Sequence, residues 1–362
     1  VSPEAPRCEP LDACPVCRAP GTRERFSSPD LQLSVPGTFR YVECTTCGTV
    51  YQDPRVREDD LASCYPAGYF TREGAAWVPA PAPAGSVRDR LRRAIRRAAD
   101  GVPDRTLSAP LRLAGSALAL SPSLRRRARF GLVDGLEPPV GRRGRCLEVG
   151  PGQGVDLFCL RALGWEAHGL EVDPVAAARA RETSGCEVTV GTLDTAEYAP
   201  GSFDLVYMSH VLEHLPDPGR ALRRCFELLA PTGRLVLVHP NPGALTVRIF
   251  GRSSCVFEPP RHLVLPAGAA AVALLRSLGF ADARAATSAR HAASYFAASR
   301  VQRAGGRWDW SRPGEPALVD RALAATEAVL VALGAPLGEE IVLRARKPWP
   351  GSFARPPCPP SE

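Results

Sequence analysis

The sequence predicts an α/β fold, a mostly parallel sheet with helices on both faces, and two observations predict it. Between residues 140 and 290, short apolar runs alternate with helix-like patterns. That alternation marks parallel strands joined by crossover helices. The first run, Arg145–Val149, then stops at Gly150-Pro151-Gly152-Gln153-Gly154, where a helical pattern begins. In open parallel sheets, ligands sit at such strand ends.

Each element has its own signal. Arg145–Val149 reads as a strand and Gln153–Leu163 as a helix. Glu166–Val172 is a strand, and Pro174–Thr183 a helix with proline in its first turn. Glu187–Val190 follows as a strand. Phe203–Ser209 is a strand entered through a Gly-Ser turn, Pro218–Leu229 a helix, and Arg234–His239 a strand running into His-Pro-Asn-Pro. A helical insertion follows residue 290, and Ile341–Arg346 is a last strand.

The 362 residues exceed one core of typical size. Four segments are expected: a cysteine-bearing module at 8–52, a helical linker rich in Arg and Pro at 53–138, the α/β domain at 139–347, and a disordered Pro-rich tail at 348–362. No uncharged apolar run reaches the ~18 residues of a membrane span. No basic start leads into an apolar leader. The expectation is a cytoplasmic protein without integral membrane contact, and nothing in the pattern fixes an oligomeric state.

Net charge is +7, carried by arginine, with Lys347 the only lysine. In a chain so rich in Ala, Pro and Gly, that excess reads first as solvated surface. The stretch Ser86–Asp100 places Val87, Leu91, Ala94, Ile95 and Ala98 on one helical face and arginines on the other. We expect it to pack on the domain beside it; contact with phosphate or a membrane surface is the alternative.

Gly150, Gly152 and Gly154 let main chain approach a ligand without a Cβ between them. The helix that follows turns its N–H groups and partial positive charge to the same space. A dinucleotide fingerprint, G-x-G-x-x-G, needs glycine at the sixth position, which here is Val155. The spacing departs from the hydride-transfer pattern. Glu171 ends the next strand, where a carboxylate can accept from both hydroxyls of a ribose.

"LEVGPGQG", "GLEVDP", "SFDLVYMSHVLEHL" and "LAPTGRLVLVHPN" occur in order across residues 147–241. Together they resemble class I S-adenosylmethionine-dependent methyltransferases. The resemblance implies a Rossmann-like seven-stranded sheet whose last strand, Ile341–Arg346, is antiparallel. It implies S-adenosylmethionine as cofactor, with Gly150, Pro151, Gly152 and Gly154 along its methionine part and Glu171 on its ribose. Thr192, Leu193 and Asp194 would flank the adenine, and Ser209 and His210 would close the site near the sulfonium. Glu148 and Val172 complete the cofactor set.

Cys14-Pro-Val-Cys17 and Cys44-Thr-Thr-Cys47 are four of the twelve cysteines. Two residues between cysteines let both sulfurs converge on one tetrahedral ion, and Gly48 permits the left-handed turn behind the second pair. We expect Cys14, Cys17, Cys44 and Cys47 to hold a structural Zn(2+), with all four positions filled by protein. Structural zinc contributes on the order of 10–16 kcal/mol in isolated fingers. Cys8 and Cys64 are read as non-ligands. "CTTCGTVYQDPR", "CYPAGYF" and "FEPPRHLVLP" narrow the resemblance to zinc-binding methyltransferases that include deoxysugar C-methyltransferases. This chain has no room at 290–340 for their long C-terminal domain.

A carbon or hydroxyl acceptor needs a base, and histidine near neutral pH suits it. His210, Glu213, His214, His239 and His262 are candidates, with His214, His262 and His210 preferred. His210 and His214, four apart, would share a helical face. Arg261 could clamp a substrate carboxylate or phosphate, while Tyr65 and Tyr69 reach the cleft or pack against the domain. The expected function is methyl transfer to a small-molecule, sugar or natural-product acceptor. An RNA methyltransferase gripping phosphate with the zinc module and basic helix is the second reading; the absence of aromatic residues from 86 to 129 counts against it. A non-enzymatic scaffold is the third, and the intact glycine turn and Glu171 argue against it.

Overall fold

In the computed structural model, the described residues are 4–66, 69, 71, 87–99, 107–120, 124, 144–310 and 314–350. Much of the expected linker and residues 351–362 of the expected tail lie outside them.

The α/β domain is built on seven strands: β6 (Arg145–Val149), β7 (Glu166–Glu171), β8 (Glu187–Val190), β9 (Phe203–Ser209), β10 (Leu229–Pro240), β12 (Ala281–Ser288) and β13 (Glu340–Arg346). Their order across the sheet is β12-β13-β10-β9-β6-β7-β8. β6 pairs in parallel with both β7 and β9, and β9 with β10. β13 is antiparallel to both of its neighbours, β10 and β12, as expected. β7 and β9 leave β6 on opposite sides, so the tips of β6 and β9 frame the switch point where such sheets bind ligands.

Strand alternation builds the two cores. Val206 and Met208 face one layer with Leu147, Leu170 and Leu235, while Leu205 and Tyr207 face the other with Leu157, Leu160 and Trp165. Asp173 caps the helix Pro174–Ser184 by accepting from the Val175 N–H at 2.8 Å, and Gly185, at φ +64°, ends it. Asp217 caps the helix Pro218–Leu228 in the same way, accepting from Arg220 at 3.0 Å. After residue 290 come the helices Ala292–Arg303 and Leu318–Ala332.

The N-terminal part holds β1 (Cys8–Glu9), β2 (Thr22–Ser28), β3 (Phe39–Cys44), β4 (Val50–Gln52) and β5 (Arg55–Val56). β1 pairs with β5. The sheet of β2, β3 and β4 is completed by β11 (Val264–Leu265), which belongs in sequence to the α/β domain. Val56 and Cys64 share its core with Leu263 and Val264. The packing thus runs past Gln52 and reaches across the chain.

The arginine-rich helix, Val87–Ala99, does not present the whole expected face. Leu91, Ala94, Ile95 and Ala98 pack on the helix Ala109–Leu118 and on Ala119, whereas Val87 is 67% exposed. Val87 is the first residue of that helix. Among the described residues, no helix is long and apolar enough to cross a membrane.

Candidate active site and cysteine cluster

The glycine turn and the acid beside it come together as expected. Gly150, Gly152 and Gly154 all have positive φ, +68°, +52° and +80°. The Gly150 N–H donates to Leu170 O at 2.8 Å, which ties the tip of β6 to that of β7. A Cβ on Gly150 would stand 2.4 Å from Val211 Cγ2, and one on Gly152 3.4 Å from Thr71 Cγ2. The turn is therefore closed on one side by the loop after β9 and on another by the N-terminal segment.

Glu171 is 7% exposed and receives the Gly152 N–H on Oε2 at 3.0 Å and the Asp173 N–H on Oε1 at 3.1 Å. Burial pushes its carboxyl up, and these N–H groups oppose the shift. Glu148 is 3% exposed, and its Oε2 has no hydrogen-bond partner among the described residues. Burial, then the charges of Asp156 and Glu171, raise the Glu148 carboxyl well above its ordinary range. Asp156 is itself held by the Tyr207 hydroxyl at 2.8 Å.

Of the remaining expected cofactor residues, Leu193 is buried in the core, Thr192 and Asp194 are exposed, and Asp194 pairs with Arg220 at 3.1 Å. Val172, beyond the tip of β7, is 66% exposed. Ser209 closes β9, and His210 follows at φ +53°.

Five of the six histidines gather around two buried glutamates, Glu213 and Glu340. The helical face proposed for His210 and His214 does not form. The chain turns left-handed at His210, and only Leu212–His214 makes a short 3-10 turn. Glu213 is fully buried instead, with His210 Nδ1 at 3.4 Å and His262 Nε2 at 4.0 Å from its Oε1. Burial raises the Glu213 carboxyl, but the surrounding imidazoles outweigh it and hold the group down at about 2.

His210 is not left as a free base. Its Nε2 lies 3.0 Å from Glu340 Oε1 while its Nδ1 faces Glu213. Burial disfavours the imidazolium, yet the two carboxylates prevail and lift it to about 10. His214 and His262 behave oppositely. Burial lowers both to about 4, with the charge of His262 adding to the effect at His214.

A main-chain oxygen sets the His262 tautomer, because a carbonyl only accepts. His262 Nδ1 donates to Val256 O at 2.7 Å, and His214 Nδ1 lies 3.0 Å from Arg261 O. The His262 Nε2 is thereby left with its lone pair. The Tyr65 hydroxyl lies 2.9 Å from His214 Nδ1, and the Tyr65 ring packs edge-on to Tyr69. His239 is fully buried with Nδ1 on Pro240 O, a core position.

Arg261 is not a substrate clamp. It is fully buried and makes a two-pronged contact with Asp30, 2.9 Å on each arm, and another with Glu258 at 2.7 Å. "FEPPRHLVLP" is thus a seam between the N-terminal sheet and the α/β domain. Tyr41 OH donates toward Phe257 O and His262 O, and Gln52 Nε2 reaches Pro260 O at 2.9 Å. Asp30, Glu340 and His291 carried no signal in the sequence, since each meets its partner across 49 to 231 residues.

The four cysteines converge. One sulfur from each lies within 4.8 Å of the others, with Cys14–Cys47 at 3.8 Å and Cys17–Cys44 at 3.5 Å. A tetrahedron with Zn–S bonds of ~2.3 Å has S···S edges of about 3.8 Å, so the set fits that ion. Gly48 takes the expected left-handed turn at φ +72°, and Arg18 takes the same turn behind the first pair at +64°.

A seven-stranded sheet of this order, with a glycine turn and a carboxylate at adjacent strand tips, defines a class I S-adenosylmethionine-dependent methyltransferase. A family described as "Methyltransferase domain" matches residues 119–312, and the chain belongs to it. Among curated proteins, the chain is similar to the ubiquinone biosynthesis O-methyltransferase of Paracidovorax citrulli (strain AAC00-1), 31% identical over 142 residues, covering 37% of this chain and 59% of that protein. It is also similar to that of Xanthomonas euvesicatoria pv. vesicatoria (strain 85-10), 35% identical over 115 residues, covering 30% and 48%. The chain thus spans about half to three-fifths of the length of these relatives.

Among solved structures, phosphoethanolamine N-methyltransferase 2 of Haemonchus contortus in complex with S-adenosyl-L-methionine is 17% identical, with a TM-score of 0.41 over 58% of this chain and 50% of that one. A methyltransferase of Mesorhizobium loti is 19% identical, with a TM-score of 0.40 over 58% and 94%.

Proposed function

We propose that the chain transfers a methyl group to a hydroxyl or carbon of a small acceptor, with His214 as the base. The observation that carries this reading is the imidazole of His214, which burial holds neutral, in the loop whose Val211 closes on Gly150. Val211, three residues before it, packs on Gly150. An amine acceptor needs only to be neutral, whereas an acidic hydroxyl or carbon must lose a proton. The curated relatives, named as O-methyltransferases, support an oxygen acceptor.

S-adenosylmethionine supplies an activated methyl group on its sulfonium. The chain's own residues align and deprotonate. Glu171 would accept from the ribose hydroxyls, Gly150–Gly154 would lie along the methionine part, and the unpartnered Glu148 Oε2 would serve the same end. Leu193, with Thr192 and Asp194, would meet the adenine. Alignment of the acceptor contributes roughly 7–11 kcal/mol. His214 takes the acceptor proton on Nε2, while Arg261 O and Tyr65 hold the ring. His262 packs edge-on to it at 4.8 Å. His210, clamped between Glu213 and Glu340, holds the loop rather than acting as base.

Cys14, Cys17, Cys44 and Cys47 would hold zinc as a structural ion, because four protein sulfurs leave no open position. The segment divisions at residues 52, 138 and 347 remain our working boundaries. The test is mass spectrometry of acceptor panels (sugars, phenols, polyketides, RNA) incubated with the protein and methyl-labelled cofactor. Label on a small hydroxyl or carbon acid supports the reading; label on RNA alone, or on amines alone, ends it.

A further inference from the structure

A second group of carboxylates borders the histidine cluster, reaching it through Glu340. Glu339 and Glu340 stand at the start of β13, and Glu327 comes from the helix Leu318–Ala332. That helix is turned the unusual way. It buries only Asp320 and Glu327, while Leu318, Val319 and Val329 are exposed. Asp320 has a cation, since Arg300 grips it with two bonds of 3.0 and 2.8 Å. No such cation faces Glu327 among the described residues.

Glu327 and Glu339 are 0% exposed and Glu340 is 1% exposed. One donor atom each from His291, Glu339 and Glu340 falls within 4.8 Å of the others. Glu340 Oε1 faces His291 Nδ1 at 2.8 Å as well as His210. Glu327 adds an independent feature. Its Oε1 accepts the Glu339 main-chain N–H at 3.0 Å, which fixes it behind Glu339. Oε2 of Glu327 and Oε2 of Glu339 are buried without hydrogen-bond partners among the described residues. Dry, unpaired carboxylate oxygens are costly, and neighbouring ones demand a countercharge.

We propose that Glu339, Glu340 and His291 hold a divalent cation of the Mn2+ or Mg2+ class, with Glu327 positioning Glu339 from behind. Carboxylate-rich sets with one imidazole suit these hard ions better than thiophilic ones. The side chain of His291, 47% exposed, gives a way in. The cation would give the buried Glu339 carboxylate its countercharge.

The test is Mn2+ titration of the full, zinc-loaded chain, followed by electron paramagnetic resonance, which does not see zinc. One Mn2+ per chain is expected, with nitrogen hyperfine coupling that His291→Ala removes. Glu327→Gln and Glu339→Gln should each weaken binding by about 10–100-fold, while the exposed Glu315→Gln leaves it unchanged. Circular dichroism and thermal unfolding of the metal-free variants separate loss of the site from loss of the fold. Failure of the folded wild-type chain to take up Mn2+ overturns the proposal in favour of a proton shared between Glu327 and Glu339. Uptake that survives both substitutions overturns it as well.

Discussion

Glu171 and His214 are the two side chains on which the proposed chemistry turns, and each makes a sharp prediction. Charge-assisted hydrogen bonds contribute about 1.5–3 kcal/mol each. Glu171→Ala should therefore weaken S-adenosylmethionine binding by roughly tenfold to a hundredfold or more in calorimetry, with the fold retained by circular dichroism. His214→Gln keeps the ring's approximate size but not its basicity. It should lower kcat by about 10²–10⁴ and leave cofactor affinity unchanged. The pH dependence follows from the sign of the shift. Burial holds His214 down at about 4, so the base is already neutral at pH 5. The kcat/KM profile should rise through pH ~4 and stay flat to neutrality; an acid limb near 6.5 would show a solvated imidazole instead.

At the scale of elements, the glycine turn and the Pro-Pro-Arg-His seam hold the site in place. Gly150→Ala must put a Cβ against Val211 at a left-handed φ. Such backbone strain costs of order 1–3 kcal/mol, and the variant should show both a lower unfolding midpoint and weaker cofactor binding. The seam depends on a buried ion pair. Asp30→Ala would strand the Arg261 guanidinium in the interior. Breaking such a pair from one side costs about 3–5 kcal/mol, measurable as a fall in the denaturant midpoint. The strands that carry the cofactor loop were legible because their apolar runs are short and bounded by glycine or proline. The seam was not legible, because nothing in "FEPPRHLVLP" reveals that Val264–Leu265 pairs with β4. Short edge strands take their partner from tertiary context, and two residues carry no period.

For the molecule as a whole, the cysteine cluster and the histidine cluster are mechanically joined. β4 follows directly on the second cysteine pair and pairs with β11, two residues beyond His262. Tyr65 runs from the same module to His214. Zinc removal by a chelator, or Cys44→Ser, should therefore lower methyl transfer as well as metal content. Elemental analysis and activity should fall together, while cofactor binding at the β6–β7 tips persists. If activity survives complete zinc loss, the coupling is wrong.

What the sequence by itself determined is everything local or repeated at fixed spacing. The parallel sheet, the glycine turn with Glu171 on the adjacent tip, the paired cysteines and the antiparallel last strand all follow from periodicity, turn chemistry and resemblance. Only the tertiary structure decided which histidines are neutral and which is charged, that Arg261 serves Asp30 rather than a ligand, and that Glu340 and His291 join the site. The physical reason is that protonation and pairing depend on burial and on charges brought in from distant parts of the chain. Those neighbours are chosen by folding, and no spacing along the chain encodes them.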